Sequence, residues 1–224
     1  MSEHNQRVDV RSGVRWSAVA RYSTQVVEVG TSLYVARIVA PECYGLLSMA
    51  LVVTGFVQVF QDLGFGSALI QRKQISEMLT SSLFFVNIAV SIALALGVAA
   101  SAPLFCWIYH DPRVGPIIAL LSVTFVFSAL GIVPRSLLTR QISFKRLAWV
   151  DMSRATLVAL AVITMAKAGW GVWALVWSSI VGTVVHTTFL FCASTWRPKL
   201  MFSWSEVRMV LSYGLNLTGF SFFN

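Results

Sequence analysis

Arg21, Gln25, Glu28 and Ser32 recur at intervals of four, three and four residues, the spacing that aligns side chains on one face of an α-helix. With a rise of 1.5 Å per residue, the two charged members stand roughly 10 Å apart along the axis. A guanidinium offers a planar fork of donors matched to phosphate oxygens, which makes Arg21 a candidate anion ligand. Snorkelling of its long side chain to lipid headgroups accounts for it equally well. Glu28 lies deeper in the same apolar run and is a candidate for ion coupling or for hydrogen bonds to hydroxyl groups, with a structural partner on another helix as the alternative. Gln58, Gln61 and Asp62 close the second apolar run, and Asn87 is the main polar group of the third. All four are candidates for lining the same polar path, and interhelical hydrogen bonding is the plainer reading of them.

The elements that must position these residues are set by composition. Of 224 residues, 57% are hydrophobic and 12% charged, and the mean hydropathy is +0.74, values that exclude an ordinary soluble domain. The apolar residues gather in runs of about 20, long enough to cross a hydrocarbon core of about 30 Å as helices. Six spans are expected: Trp16–Ala40, Tyr44–Gln61, Leu79–Ala102, Val114–Pro134, Trp149–Ala166 and Val172–Ala193. A seventh run starts near Val207 and is still apolar at Phe222 and Phe223, so the chain reads as stopping inside a helix. The organisation is therefore a cytoplasmic segment at 1–15, a six-helix lobe at 16–193, a linker at 194–206 and a truncated seventh helix at 207–224.

Charge sets the orientation. With the N-terminus inside, twelve of the 17 Lys and Arg fall in cytoplasmic segments, three (Arg37, Arg113 and Lys167) fall outside, and Arg21 and Arg154 lie within spans. That asymmetry is the positive-inside pattern, and it explains the net charge of +8 without a nucleic-acid partner. The inner loop Ser136–Ala148 mixes Leu137, Leu138, Ile142 and Phe144 with basic residues, as a short interfacial helix would. In the third span, Ala93, Gly97 and Ser101 make a small-residue stripe that favours close approach of a neighbouring backbone. Cys43, Cys106 and Cys192 have no partners at metal-ligand spacing and read as buried small hydrophobes, and His186 as a packed polar residue. There is no phosphate-binding Gly-rich loop, metal cluster or nucleophile–base pair, so no cofactor, no metal and no enzymatic activity are expected.

Several segments together resemble a known family. They are ARIVAPECYGLLSMA (Ala36–Ala50), FQDLGFGSALIQRKQIS (Phe60–Ser76), SLLTRQISFKRLAWVD (Ser136–Asp151), GWGVWALVWSSIVG (Gly169–Gly182) and TWRPKLMFSWSEVRMVLSYG (Thr195–Gly214). In order and spacing they are similar to the first outer turn, two inner loops, the fifth-to-sixth turn and the mid-protein linker of the Wzx-like polysaccharide flippases. These belong to the multidrug/oligosaccharidyl-lipid/polysaccharide superfamily, which also holds multidrug exporters and the lipid II flippase. Cys43 departs from the acidic residue the pattern leads one to expect.

The resemblance implies an all-α polytopic transmembrane bundle of twelve or fourteen spans, built as two lobes around a central cavity in the bacterial inner membrane. It implies transport, by alternating access, of a polyprenyl-pyrophosphate-linked oligosaccharide for exopolysaccharide or lipopolysaccharide biosynthesis, with a polysaccharide polymerase and export proteins as partners besides the membrane lipids. On that reading Arg21 meets the pyrophosphate, and Glu28 and the amides meet sugar hydroxyls or a coupling ion. The alternatives are small-molecule export by the same fold, or a membrane-embedded glycosyltransferase or acyltransferase. The enzyme would need acidic or His residues clustered at a membrane surface, and the outer-loop Glu42 and Asp111 are isolated in sequence.

Overall fold

The computed structural model describes residues 20–61, 66, 69–70 and 75–208, without the side chains of 59 and 60. Asp62 and the seventh apolar run beyond residue 208 lie outside the described residues, as does the N-terminal segment. All regular structure among the described residues is helical: α1 (20–35), α2 (Pro41–Gln61), α3 (Glu77–Tyr109), α4 (Val114–Arg140), α5 (Phe144–Lys167), α6 (Val172–Ala193) and a short α7 (204–208). Four of these, α3 to α6, are long and apolar enough to cross a membrane. The protein is an all-α, multi-pass membrane bundle.

Local chemistry places the helix ends. Pro41 opens α2, where its missing N–H costs nothing. Ser76 caps α3 by accepting the Leu79 N–H at 3.0 Å, with Glu77 in the first turn facing the positive end of the helix dipole. Between α3 and α4, His110 turns the chain with φ +54°, a conformation His tolerates better than most residues. Arg113 clamps Asp111 there with its guanidinium and backbone N–H, which holds the Asp111 carboxyl below the usual carboxylate range. Between α5 and α6 the positive φ values fall to Gly169 (φ +80°) and Gly171 (φ +55°, ψ −127°), backbone conformations that glycine adopts without a Cβ clash.

Helix α4 is the hub, packing on α2, α3, α5 and α6. Its Ile117, Ile118, Leu121 and Phe125 are buried in one core with Leu46 and Val53 of α2, Ala95 and Val98 of α3, and Val176 and Ile180 of α6. At the end of the bundle where the α5–α6 turn lies, Val35 and Val39 join Val162 and Ala166 of α5 and Ala174 and Leu175 of α6, which seats α1 against the α5–α6 pair. At the opposite end Phe84 makes edge-on contacts with Phe85, Phe191 and Trp196 at 5.4–6.3 Å. The linker after α6 is strapped back onto α3: the Lys199 and Ser203 N–H groups donate to Ser81 and Ser82 Oγ, and Lys199 pairs with Glu77.

Four expectations are corrected. The third and fourth helices run beyond their expected ends, through Pro103 to Tyr109 and through Pro134 to Arg140, because a proline inside a membrane helix is accommodated by its neighbours. Consequently Ser136–Ala148 forms no separate interfacial helix. The chain reverses at 141–143, where Ser143 N–H bonds Leu138 O and Ile142 N–H bonds Thr139 O, the paired closure of a Schellman motif. The small-residue stripe does not mediate a close crossing: a Cβ on Gly97 meets nothing within 4 Å, whereas one on Gly115 of α4 lands 2.5 Å from Cys106 Sγ of α3 and one on Gly182 of α6 lands 2.7 Å from Val158 Cγ2 of α5. Cys192 is exposed rather than buried, while Cys43 and Cys106 are half-buried.

Ile142 occupies the left-handed position of that Schellman turn at φ +55° and is 55% exposed. A β-branched residue is strained there, and little apolar burial offsets the strain. Ile142→Gly is expected to raise stability by about 1 kcal/mol, read as a higher midpoint of thermal unfolding in detergent.

Candidate functional site

Near the end of the bundle where the 194–203 linker lies, α1, α2, α4, α5 and α6 line an open cavity of about 830 Å³, within the volume range of sites that hold a drug-sized ligand. Its walls are polar because each helix turns a different set of groups toward it. Arg21, Thr24, Gln25 and Glu28 come from α1, Gln58 from α2, Ser128, Arg135 and Thr139 from α4, Asp151 and Arg154 from α5, and Ser178, Ser179, Thr183 and His186 from α6. Three guanidiniums stand against two carboxylates, which leaves one positive charge in excess before any proton is added to His186.

Two ion-pair clusters organise this wall. Arg154 Nη2 bonds Glu28 Oε1, joining α5 to α1. One turn earlier on α5, Asp151 Oδ1 lies 3.3 Å from His186 Nε2 and 3.8 Å from Arg135 Nη1, which itself stands 3.2 Å from His186 Nε2. This second cluster joins α4, α5 and α6. A single imidazole nitrogen faces both groups, so in the neutral ring it either accepts from Arg135 or donates to Asp151, according to tautomer. Arg21, by contrast, has no ion-pair or hydrogen-bond partner among the described residues, and the Thr24 hydroxyl is buried without one.

The residues singled out from sequence divide into three groups. Arg21, Gln25, Glu28 and Gln58 meet in the cavity. Ser32 lies one step outward in a smaller pocket of about 190 Å³ that shares Glu28 with the main cavity and is otherwise mostly apolar, with Tyr44 at its edge. Gln61 and Asn87 sit in the packed interior. Gln61 Nε2 reaches Ser91 Oγ at 3.1 Å, Ser128 Oγ at 2.7 Å and the Phe125 carbonyl, so it fastens α2 to α3 and α4. Asn87 donates to the Ala129 carbonyl at 3.2 Å and ties α3 to α4. Asp62 lies outside the described residues.

Sequence reasoning passed over Asp151, Arg135 and His186. Asp151 stands three residues before Arg154, so the two share one face of α5, and that pairing of opposite charges inside a span was the available signal. Arg135 was counted as a loop residue because Pro134 suggested a helix end.

A sequence model of the family described as polysaccharide biosynthesis protein matches residues 34–224. The chain belongs to the polysaccharide biosynthesis protein family. Among curated relatives, lipopolysaccharide biosynthesis protein WzxC of Escherichia coli K12 is 29% identical over 223 residues, 95% of this chain and 44% of that protein. Succinoglycan biosynthesis transport protein ExoT of Rhizobium meliloti 1021 is 26% identical over 210 residues, 94% and 42% of the two chains. Teichuronic acid biosynthesis protein TuaB of Bacillus subtilis 168 is 23% identical, over 92% of this chain and 43% of that one. The chain thus spans less than half the length of these relatives, and no solved structure matches it. The α4, α5 and α6 walls of the cavity fall within the family match, and the polar face of α1 precedes it.

The Glu28–Arg154 pair is partly exposed, with 41% and 33% of the two side chains accessible, so its coupling is that of a screened pair rather than a dry one. A double-mutant cycle with Glu28→Gln and Arg154→Gln is expected to give a coupling of roughly 0.5–1.5 kcal/mol, as polar pairs between membrane helices do, measured by unfolding in detergent.

Proposed function

We propose that this chain forms the N-terminal lobe of a flippase that carries a polyprenyl-pyrophosphate-linked oligosaccharide across the bacterial inner membrane, with its N-terminus cytoplasmic. The observation that carries the reading is the cavity itself: polar, open within a membrane bundle, and in positive excess, with Arg21 on its wall and without a partner among the described residues. Ionisable groups at bilayer depth cost about 2.5–3.5 kcal/mol each to insert, and packing alone does not require six of them around one space. A pyrophosphate matches the guanidinium forks of Arg21, Arg135 and Arg154. Gln25, Gln58 and the hydroxyls of Ser128, Ser179 and Thr183 supply donors and acceptors for sugar hydroxyls. No bond is made or broken, and alternating access to the cavity is the work performed.

The names of the relatives support this reading, since ExoT is named a transport protein and WzxC a lipopolysaccharide biosynthesis protein. A second lobe, a polysaccharide polymerase and export proteins complete the expected assembly.

Complementation tests the proposal. In a strain lacking its own polysaccharide flippase, the full-length gene is expected to restore surface polymer, and Arg21→Ala at matched expression to lower it at least tenfold. Wild-type polymer levels with Arg21→Ala would remove this residue from the path, and failure of the intact gene in its native background would count against flipping.

A further inference from the structure

Two of the cavity's arginines already face carboxylates. Arg154 is engaged by Glu28 and Arg135 faces Asp151 and His186, whereas Arg21 has no partner among the described residues. Glu28 and Asp151 both line the cavity themselves, so each carboxylate faces the space that an incoming anion would enter. Resting on the reading of this cavity as an anion-headgroup site, we propose that Glu28 and Asp151 are resident competitors of the ligand: they occupy the arginines when the site is empty, and a phosphate group binds by exchanging with them.

The energetics follow from charge on a partly open wall. The four paired side chains are 33–51% accessible, so each carboxylate holds its arginine by a screened attraction. Ligand binding then replaces one ion pair with another instead of quenching a naked charge, and its net gain is the difference between the two. A carrier needs this restraint, because a site must bind well enough to load and weakly enough to release. Exchange also gives the arginines an order of use: Arg21 meets the anion first, and the paired arginines engage as their carboxylates let go. Asp151 has an alternative partner at hand, since His186 Nε2 lies closer to it than Arg135 does, at 3.3 Å against 3.8 Å. On release from Arg135 its charge stays hydrogen-bonded. Glu28 has no second cation among the described residues, and the smaller pocket it shares also carries the hydroxyl-bearing Thr31, Ser32 and Tyr44, the last with its hydroxyl buried and without a hydrogen bond among the described residues. The smaller pocket therefore offers the displaced Glu28 carboxylate a donor whose capacity is unused.

Competition and structural support predict opposite signs. If the carboxylates merely hold the helices, neutralising them loosens the site and weakens binding. If they compete, neutralising them at constant shape tightens it. The full-length protein in lipid nanodiscs is titrated with geranyl pyrophosphate, with geraniol as the control for partition of the tail, and dissociation is followed by stopped flow. Glu28→Gln and Asp151→Asn are each expected to bind the pyrophosphate about tenfold more tightly and to release it correspondingly more slowly, a modest share of the coupling seen for close charge pairs. Arg21→Gln is expected to bind about tenfold more weakly. Unchanged or weakened binding in both carboxylate variants overturns the proposal, as does failure of both to purify as a single species, because the carboxylates would then be structural. If the wild-type protein and Arg21→Gln bind geranyl pyrophosphate no better than geraniol, the anion-site reading itself fails.

Discussion

Two sets of ion pairs crossing between helices organise the polar interior of this bundle, and both start from one helix. Asp151 and Arg154 stand one turn apart on α5 with opposite signs, and each reaches a different neighbour: Asp151 toward Arg135 of α4 and His186 of α6, Arg154 toward Glu28 of α1. Because the pairs cross between helices, the groups that make the cavity polar also hold its walls together. The same pairs explain how an apolar bundle supports a polar interior at a tolerable cost. Both pairs are partly exposed, so removing one member loses a screened interaction rather than a dry one.

Around this charged seam the packing is ordinary and directional. Helix α4 carries a buried apolar stripe toward α2, α3 and α6 and turns Ser128, Arg135 and Thr139 toward the cavity. Polar residues pin the crossings: Gln61 bridges α2 to α3 and α4, Asn87 bridges α3 to α4, and Thr187 of α6 donates to the Phe127 carbonyl of α4 at 2.7 Å. The closest approach between α5 and α6 is bought at Gly182, where the stiff Val158 side chain leaves no room for a Cβ. That approach keeps Asp151 and His186 within reach of each other. The outer surfaces of the helices carry exposed Leu51, Phe56, Leu96, Leu104 and Leu160, as lipid-facing surfaces should.

Much of this was legible in the sequence, and the reasons for success and failure are physical. Long apolar runs report helices directly, so α6 was placed at Val172–Ala193 from hydropathy alone. The α1 stripe was legible because a regular spacing of polar residues within an apolar run has a single geometric meaning. Helix ends were harder, since Pro103 and Pro134 are stop signals in water but are absorbed within membrane helices. Gln61 and Asn87 stand among the candidates because an amide in a span signals either a cavity or an interhelical bond, and only the third dimension decides between them. Arg135 and His186 were missed because their chemistry exists only where α4, α5 and α6 converge: separated by 51 residues, they meet at 3.2 Å. The glycine stripe misled because small residues permit close approach without compelling it.

The central claim is that a hydrated cavity opens between α1, α4, α5 and α6 at the end of the bundle where the 194–203 linker lies. Substituted-cysteine labelling tests it most directly, in a background with Cys43, Cys106 and Cys192 replaced by Ala. Single cysteines at Gln25, Ala148 and Thr183 should react with a membrane-impermeant, charged thiol reagent applied from the linker side, and a bound pyrophosphate should slow them. Cysteines at Leu157 and Leu160 on the outer face of α5 should stay unreactive. Equal reactivity at both sets, or reaction confined to 157 and 160, would contradict the account.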